Sequence, residues 1–151
     1  MKKIPLKSKE LNRELVPFGI EYSKKDQVVL LEDKGQKVVL VNNVPEFFYH
    51  QDQIVPTLKH LQKASHLLKT IVVDMGAVKF VINGADIMRP GIVEIEAGIK
   101  ENDLVVIIDV NNRKPLAVGI ALFAAEEMKS KDSGKVIKNI HWVGDELWRL
   151  E

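Results

Sequence analysis

The chain has 151 residues, 46% hydrophobic and 28% charged, which is enough for one average domain or two small ones with a real core. It has no cysteine, which excludes disulfides, thiolate metal sites and thiol catalysis. A net charge of +1 advertises no polyanion partner, so any RNA contact must come from a local patch with salt-sensitive affinity.

Residues 1–70 carry 12 Lys/Arg against 8 Asp/Glu and residues 71–151 carry 10 against 13, an asymmetry too small to define a basic domain. No apolar run approaches the roughly 20 residues of a bilayer span, and Met1-Lys2-Lys3-Ile4-Pro5 has no hydrophobic signal core behind it. No membrane role and a cytoplasmic location are therefore expected.

In chain order, Leu11, Leu15 and Phe18 recur at helical spacing, with Ser8 as cap and Pro17-Phe18-Gly19 closing the segment. Gln27–Glu32 and Lys37–Val41 are β-branched runs joined by Asp33-Lys34-Gly35-Gln36, a hairpin signal. A third strand runs through Phe47-Phe48-Tyr49. Pro56 suits the first turn of a helix carrying Leu58 and Leu61. These pieces predict a small α/β domain over residues 1–67.

Residues 68–151 form the second predicted domain. Thr70-Ile71-Val72-Val73 is a short buried strand. Asp74 caps a helix in which Ala77, Phe80, Val81 and Gly84 recur at helical spacing, so that side is expected to be buried. Lys79 falls off that side. Gly84 stops the helix in a left-handed conformation, and Arg89-Pro90-Gly91 makes a corner. Val93, Ile95 and Ala97 alternate with Glu94 and Glu96, as in a half-buried strand. Leu104–Val110 reads as a strand buried on both faces, and Leu116–Leu122 as another, with Gly119 marking a bulge. A helical turn over Ala124–Met128 and a strand over Val136–Val143 complete a small mixed β-barrel.

Catalytic patterns are missing. There is no phosphate-binding glycine loop, no Gly-x-Ser-x-Gly elbow and no His-Glu-x-x-His. His50, His60 and His66 have the wrong spacing for a metal site on one helix face, and Glu94/Glu96 and Glu126/Glu127 read as solvated faces. No enzyme activity, metal or cofactor is expected. The stretch from Asp74 to Ile92 suits RNA better: a glycine turn admits a nucleotide to the main chain, and Lys79 and Arg89 can take phosphates. His141 and Trp142 alternate on the last strand, so only one faces outward. From the residues alone, a capped helix, a turn and core aromatics remain the favoured description.

Asp74-Met75-Gly76-Ala77-Val78-Lys79-Phe80-Val81 through Gly84-Ala85-Asp86-Ile87-Met88-Arg89-Pro90-Gly91-Ile92 resembles the signature of a PUA domain, the module named from pseudouridine synthases and archaeosine transglycosylases. The ending from Gly134 to Trp148 resembles the branch of malignant T-cell amplified sequence proteins and the ligatin-type initiation factor. Pro56-Thr57-Leu58-Lys59-His60-Leu61 resembles the segment joining their pre-PUA and PUA domains.

The resemblance implies an archaeal-type α+β protein: an α/β pre-PUA domain followed by a mixed β pseudo-barrel. It implies RNA binding without catalysis, directed at a tRNA end or ribosomal RNA in translation initiation. It points to Lys79, Gly84, Ala85, Met88, Arg89, Pro90, Gly91 and His141 as RNA contacts. Lys79 and Arg89 would take phosphate, the glycines would allow close backbone approach, and His141 would meet a base. A ribosomal subunit or a density-regulated-type protein is the implied further partner. The alternatives are a targeting subunit of an RNA-modifying enzyme and a protein–protein adaptor.

Overall fold

The structure, a computed structural model, describes residues 1–150. It divides into two units, Met1–His60 and Leu61–Leu150.

The first unit is an antiparallel meander in which chain order equals sheet order: β1 (Lys2–Leu6), β2 (Val28–Asp33), β3 (Gln36–Val41), β4 (Val44–His50) and β5 (Gln53–Pro56). Three consecutive two-residue turns join β2 to β5. Each has both central residues at positive φ: Lys34 and Gly35, Asn42 and Asn43, Gln51 and Asp52. That backbone matches the right-handed twist of the strands it joins. β1 and β5 escape the sequence signals, because Lys2, Lys3 and Pro5 read as a charged terminus and Gln51-Asp52 lacks glycine.

Helix α1 (Ser8–Leu15) lays Leu11 and Leu15, four residues apart, on a core with Val28, Val39, Val41, Phe47 and Ile54. Ser8 is its first helical residue and is buried, and Lys7 occupies the cap position without a side-chain bond. Gly19 (φ +68°) ends the short 3-10 extension Val16–Phe18, as expected.

Pro56 ends a strand instead of starting a helix. Thr57 does the capping of α2 (Leu58–Lys63): its Oγ1 donates to the Pro45 carbonyl at 2.7 Å and accepts from the His60 N–H at 3.2 Å. His60 is buried with its Nδ1 2.9 Å from Glu46 Oε1. Among the described residues there is no group of three or more potential metal ligands, and no helix is long and apolar enough to cross a membrane.

The second unit is a six-stranded mixed sheet. Its strands are β6 (Lys69–Val73), β7 (Ile87–Met88), β8 (Ile92–Ile95), β9 (Leu104–Asp109), β10 (Pro115–Ala121) and β11 (Lys135–Trp142), in the order β7-β11-β10-β9-β6-β8. Among the described residues only β6 and β9 pair in parallel. The two edges, β7 and β8, are joined by the three-residue turn Arg89–Gly91, so the sheet must curl almost to closure. This is the expected pseudo-barrel after an α/β unit. Inside it lie Ile71, Val73, Val105, Ile107, Ala117, Ala121, Val136 and Ile137.

The bulge at Gly119 is present, with a register shift between Val118 and Gly119. A Cβ there would sit 2.5 Å from Ile137 Cγ2 and 2.9 Å from the Lys138 carbonyl, so only glycine lets β10 and β11 approach. The alternation expected around Val93 fails for a similar reason. Val73 pairs with Ile92 and Val72 with Glu94, so Val93 is the bulged residue and is 51% exposed.

Candidate nucleic-acid interface

Helix α3 (Met75–Val81) begins where Asp74 Oδ1 accepts the Ala77 N–H at 2.9 Å, the capping bond expected from sequence. After Ile82 the chain turns back: the Gly84 N–H donates to the Val81 carbonyl and the Ala85 N–H to the Phe80 carbonyl, both at 3.0 Å. Gly84 has φ +89°. Buried Asn139 on β11 clamps this turn from inside, its Nδ2 donating to the Val81 and Ala85 carbonyls at 3.1 and 3.0 Å. Its own N–H donates to Asp86 Oδ1 at 2.9 Å. The glycine turn is therefore fixed at both ends and from below.

Trp142 forms the wall behind it. A Cβ on Gly84 would stand 2.7–3.0 Å from three atoms of the Trp142 ring. Glycine is thus required twice at this position, by backbone sign and by the indole.

In front of α3 a slot of about 430 Å³ opens, lined by Asp74, Ala77, Phe80, Ala85, Asp86 and Met88 among others. Two of its lining side chains are apolar and exposed, Phe80 at 58% and Met88 at 50%. The expectation that Phe80 is buried is wrong. The helix turns Val81 into the core and leaves the Phe80 ring in solvent, with Lys79 Nζ 5.2 Å from its centroid. Lys135 pairs in register with Met88 and lies 3.3 Å from Asp86 Oδ2. Aromatic face, apolar slot, fixed turn and lysines together suit an unstacked base with its phosphate.

Of the residues singled out from sequence, Lys79, Gly84, Ala85 and Met88 come together here, and Pro90 is exposed on the adjoining corner. Gly91 lies beneath α3, where an added Cβ would be 3.2 Å from Ala77 Cβ, and its carbonyl accepts the Asp74 N–H. Arg89 is engaged elsewhere. Its Nε donates to the Met128 carbonyl at 2.8 Å, in helix α4 (Ala125–Ser130), and its Nη1 to the Ile92 carbonyl at 3.3 Å. Arg89 therefore ties the barrel-closing turn to the end of a helix. Replacing it by Met is expected to lower stability by about 1.5–3 kcal/mol, since charged hydrogen bonds to half-buried carbonyls disappear. Chemical denaturation measures this.

His141 also lies inside. It is 1% exposed, with Nδ1 2.7 Å from Asp145 Oδ2, so it meets no base on this surface. The half-buried member of the pair is Trp142. Asp145 further accepts the N–H groups of Trp142 at 2.9 Å and Trp148 at 2.8 Å. Burial pushes its carboxyl up, but the His141 bond and charge and the two backbone donors outweigh this and hold it below the usual carboxylate range. A depressed folded-state pKa stabilises above the unfolded value and that stability fades as pH falls through the folded one. Asp145→Asn is therefore expected to be less stable than the parent at neutral pH, with the gap closing below about pH 4. Thermal unfolding of both proteins across pH reads this out.

Residues missed from sequence are Phe80, Lys135 and Trp142. Helical spacing assigns Phe80 to the core, and Lys135 becomes relevant only through the pairing of β11 with β7.

Two family models match the chain: the PUA domain over residues 69–143 and a domain of unknown function, DUF1947, over residues 7–64. An uncharacterised protein of Methanocaldococcus jannaschii is 46% identical over 85% of this chain and 79% of its own length. Translation machinery-associated protein 20 of Saccharomyces cerevisiae is 37% identical over 91% of this chain and 76% of its own. Malignant T-cell-amplified sequence 1 of Danio rerio is 33% identical over 85% and 74%. A solved structure, a hypothetical protein from Pyrococcus horikoshii, superposes with TM-score 0.83 at 38% identity, covering 97% of this chain and 98% of that one.

Proposed function

The chain belongs to the PUA-domain family, in the branch of translation machinery-associated protein 20 and malignant T-cell-amplified sequence 1, and on that premise we propose that it is a non-catalytic RNA-binding protein of translation initiation. Its ligand is an unpaired RNA end, either the end of a tRNA or a segment of ribosomal RNA. The terminal bases occupy the slot between Phe80 and Met88. Lys79 and Lys135 take the phosphates, and the main chain around Gly84 and Ala85 receives the sugar-phosphate backbone. The observation that carries this reading is Phe80: a solvent-exposed aromatic ring, flanked by a lysine, at the mouth of an apolar slot. The exposed lysine–ring contact contributes about 0.5–1 kcal/mol to the fold, whereas a stacked base gains about 1–3 kcal/mol.

Translation is supported by the names of the relatives, and RNA by the chemistry of the surface. Fluorescence titration with tRNA carrying or lacking its single-stranded 3′ end tests both the ligand and its mode. The intact tRNA is expected to bind more tightly, with affinity falling as salt rises. Equal indifference to both at low salt overturns the proposal.

A further inference from the structure

The C-terminal unit has a second, larger concavity that shares no residue with the slot at α3. It measures about 880 Å³ and is lined wholly by residues between Leu61 and Leu150. That volume is in the range of about 300–1,000 Å³ usual for small-molecule sites. Its floor is apolar, made by Val106 and Ile108 of β9 and Leu116 of β10. Trp148 forms a wall, and Arg113 and Lys114 stand at the rim.

These groups are held in place. The Val143 N–H donates to the Leu116 carbonyl at 2.9 Å and the Trp148 N–H to Asp145 Oδ1 at 2.8 Å, so the segment bearing Trp148 is fastened to the barrel. The two cations ride on a turn organised by the buried carboxylate of Asp109. That carboxylate accepts the Asn112 N–H at 2.8 Å and its Nδ2 at 3.2 Å, while the Arg113 N–H donates to the Asp109 carbonyl at 3.0 Å. Arg113 itself has φ +54°, a conformation a non-glycine residue adopts only when its surroundings impose it.

Two acidic side chains stand near the cations. Glu96 also lines the groove and keeps its charge, but its carboxylate is turned to Thr70, with Oε1 accepting the Thr70 N–H and Oγ1–H at 3.0 and 3.2 Å. Glu94 reaches Arg113 at 3.5 Å with both side chains more than half exposed, a pairing weak enough for a phosphate to replace. His66 adds a further donor at the edge.

We propose that this groove is a second nucleotide-binding site. A base lies against Trp148 and the β9–β10 floor, and its phosphate is held by Arg113 and Lys114. An aromatic wall beside paired cations is the pattern that single-stranded nucleic acid recognises. A groove for an acidic peptide would need no ring-sized flat wall. The nucleotide is either free in solution or part of an RNA strand, and only the second source rests on the function proposed above.

The chain's two tryptophans make the test direct, because Trp142 backs the glycine turn beside the slot and Trp148 walls the groove. In the full, unmodified protein their two indole N–H resonances are followed by NMR during titration with adenosine 5′-monophosphate, with a single-stranded RNA hexanucleotide and with an acidic aromatic peptide. The Trp148 resonance is expected to move with the mononucleotide, the hexanucleotide or both; the mononucleotide alone identifies a free nucleotide as the source, and the hexanucleotide a strand. In R113N/K114S, changed only at exposed positions of the turn, the response at Trp148 is expected to weaken by about tenfold. The slope of log affinity against log salt for the RNA should become shallower by about 1.4, the share of two phosphates on a single strand. Lys79→Glu should leave the Trp148 response intact. A Trp148 resonance that ignores both nucleic acids, or moves only with the peptide, overturns the proposal. A Trp148 response with Trp142 silent supports the groove and counts against the slot, so the two readings fail separately.

Discussion

Phe80→Ala is expected to weaken binding of a single-stranded RNA end by about 5- to 150-fold, the equivalent of about 1–3 kcal/mol for one stacked base. Its effect on stability should stay within about 0.5 kcal/mol, because the ring is 58% exposed and holds no core position. Adding Lys79→Glu should lower affinity further and flatten its salt dependence by about 0.7 for each phosphate that is no longer neutralised, again without a change in unfolding midpoint. Titrations at several salt concentrations, paired with thermal melts, separate the two quantities. The contrast with Arg89→Met is the informative part. That replacement strikes the barrel's closing turn and should act on stability first. Equal losses of stability for Phe80→Ala and Arg89→Met would mean that Phe80 is a packing residue.

Gly84→Ala carries the second large effect. A side chain at φ +89° costs about 1–3 kcal/mol in backbone strain, and its Cβ would fall within 2.7–3.0 Å of the Trp142 ring, adding about 1–3 kcal/mol of overpacking. A loss of about 2–6 kcal/mol is therefore expected, together with weakened RNA binding as the turn and the indole move apart. Gly134 supplies the control. It has nearly the same φ, +88°, but nothing within 4 Å of its missing Cβ, so Gly134→Ala should show the strain alone. Trp142→Phe, which trims the ring that the new methyl meets, should recover part of the Gly84→Ala loss. Denaturant unfolding of the four proteins decides whether the indole and the glycine act as one device.

The parts of this molecule legible in its sequence are those set by local chemistry. Asp74 caps α3 and Gly84 ends it because both demands arise within one turn of chain. Gly119 announces its bulge because a residue without a side chain weakens a β-branched strand unless a bend or a close approach requires it. What stays hidden depends on distant partners. Arg89 finds the Met128 carbonyl 39 residues away, so its spacing within the Asp74–Ile92 stretch carries no hint that it is already occupied. The helical period shared by Ala77, Phe80, Val81 and Gly84 puts Phe80 in the core. In a helix of seven residues, however, the neighbours choose the buried face, and Asn139 with β11 approaches from the side of Val81. Strand β7 is two residues long, too short for any pattern to declare it. The exchange of roles between His141 and Trp142 has the same origin. Alternation requires that one of them face outward, but the choice rests on Asp145, which pulls the imidazole inward at 2.7 Å.

The family likeness names an RNA-binding module, and the proposal made above is where on it a strand lies. That location is the central claim. Photo-crosslinking tests it most directly: an RNA bearing a photoreactive nucleotide at its 3′ end is bound to the full chain, irradiated, and the attached residue identified by mass spectrometry. Attachment is expected between Met75 and Met88, with Phe80 the foremost acceptor. Attachment that falls only outside that stretch would contradict the claim.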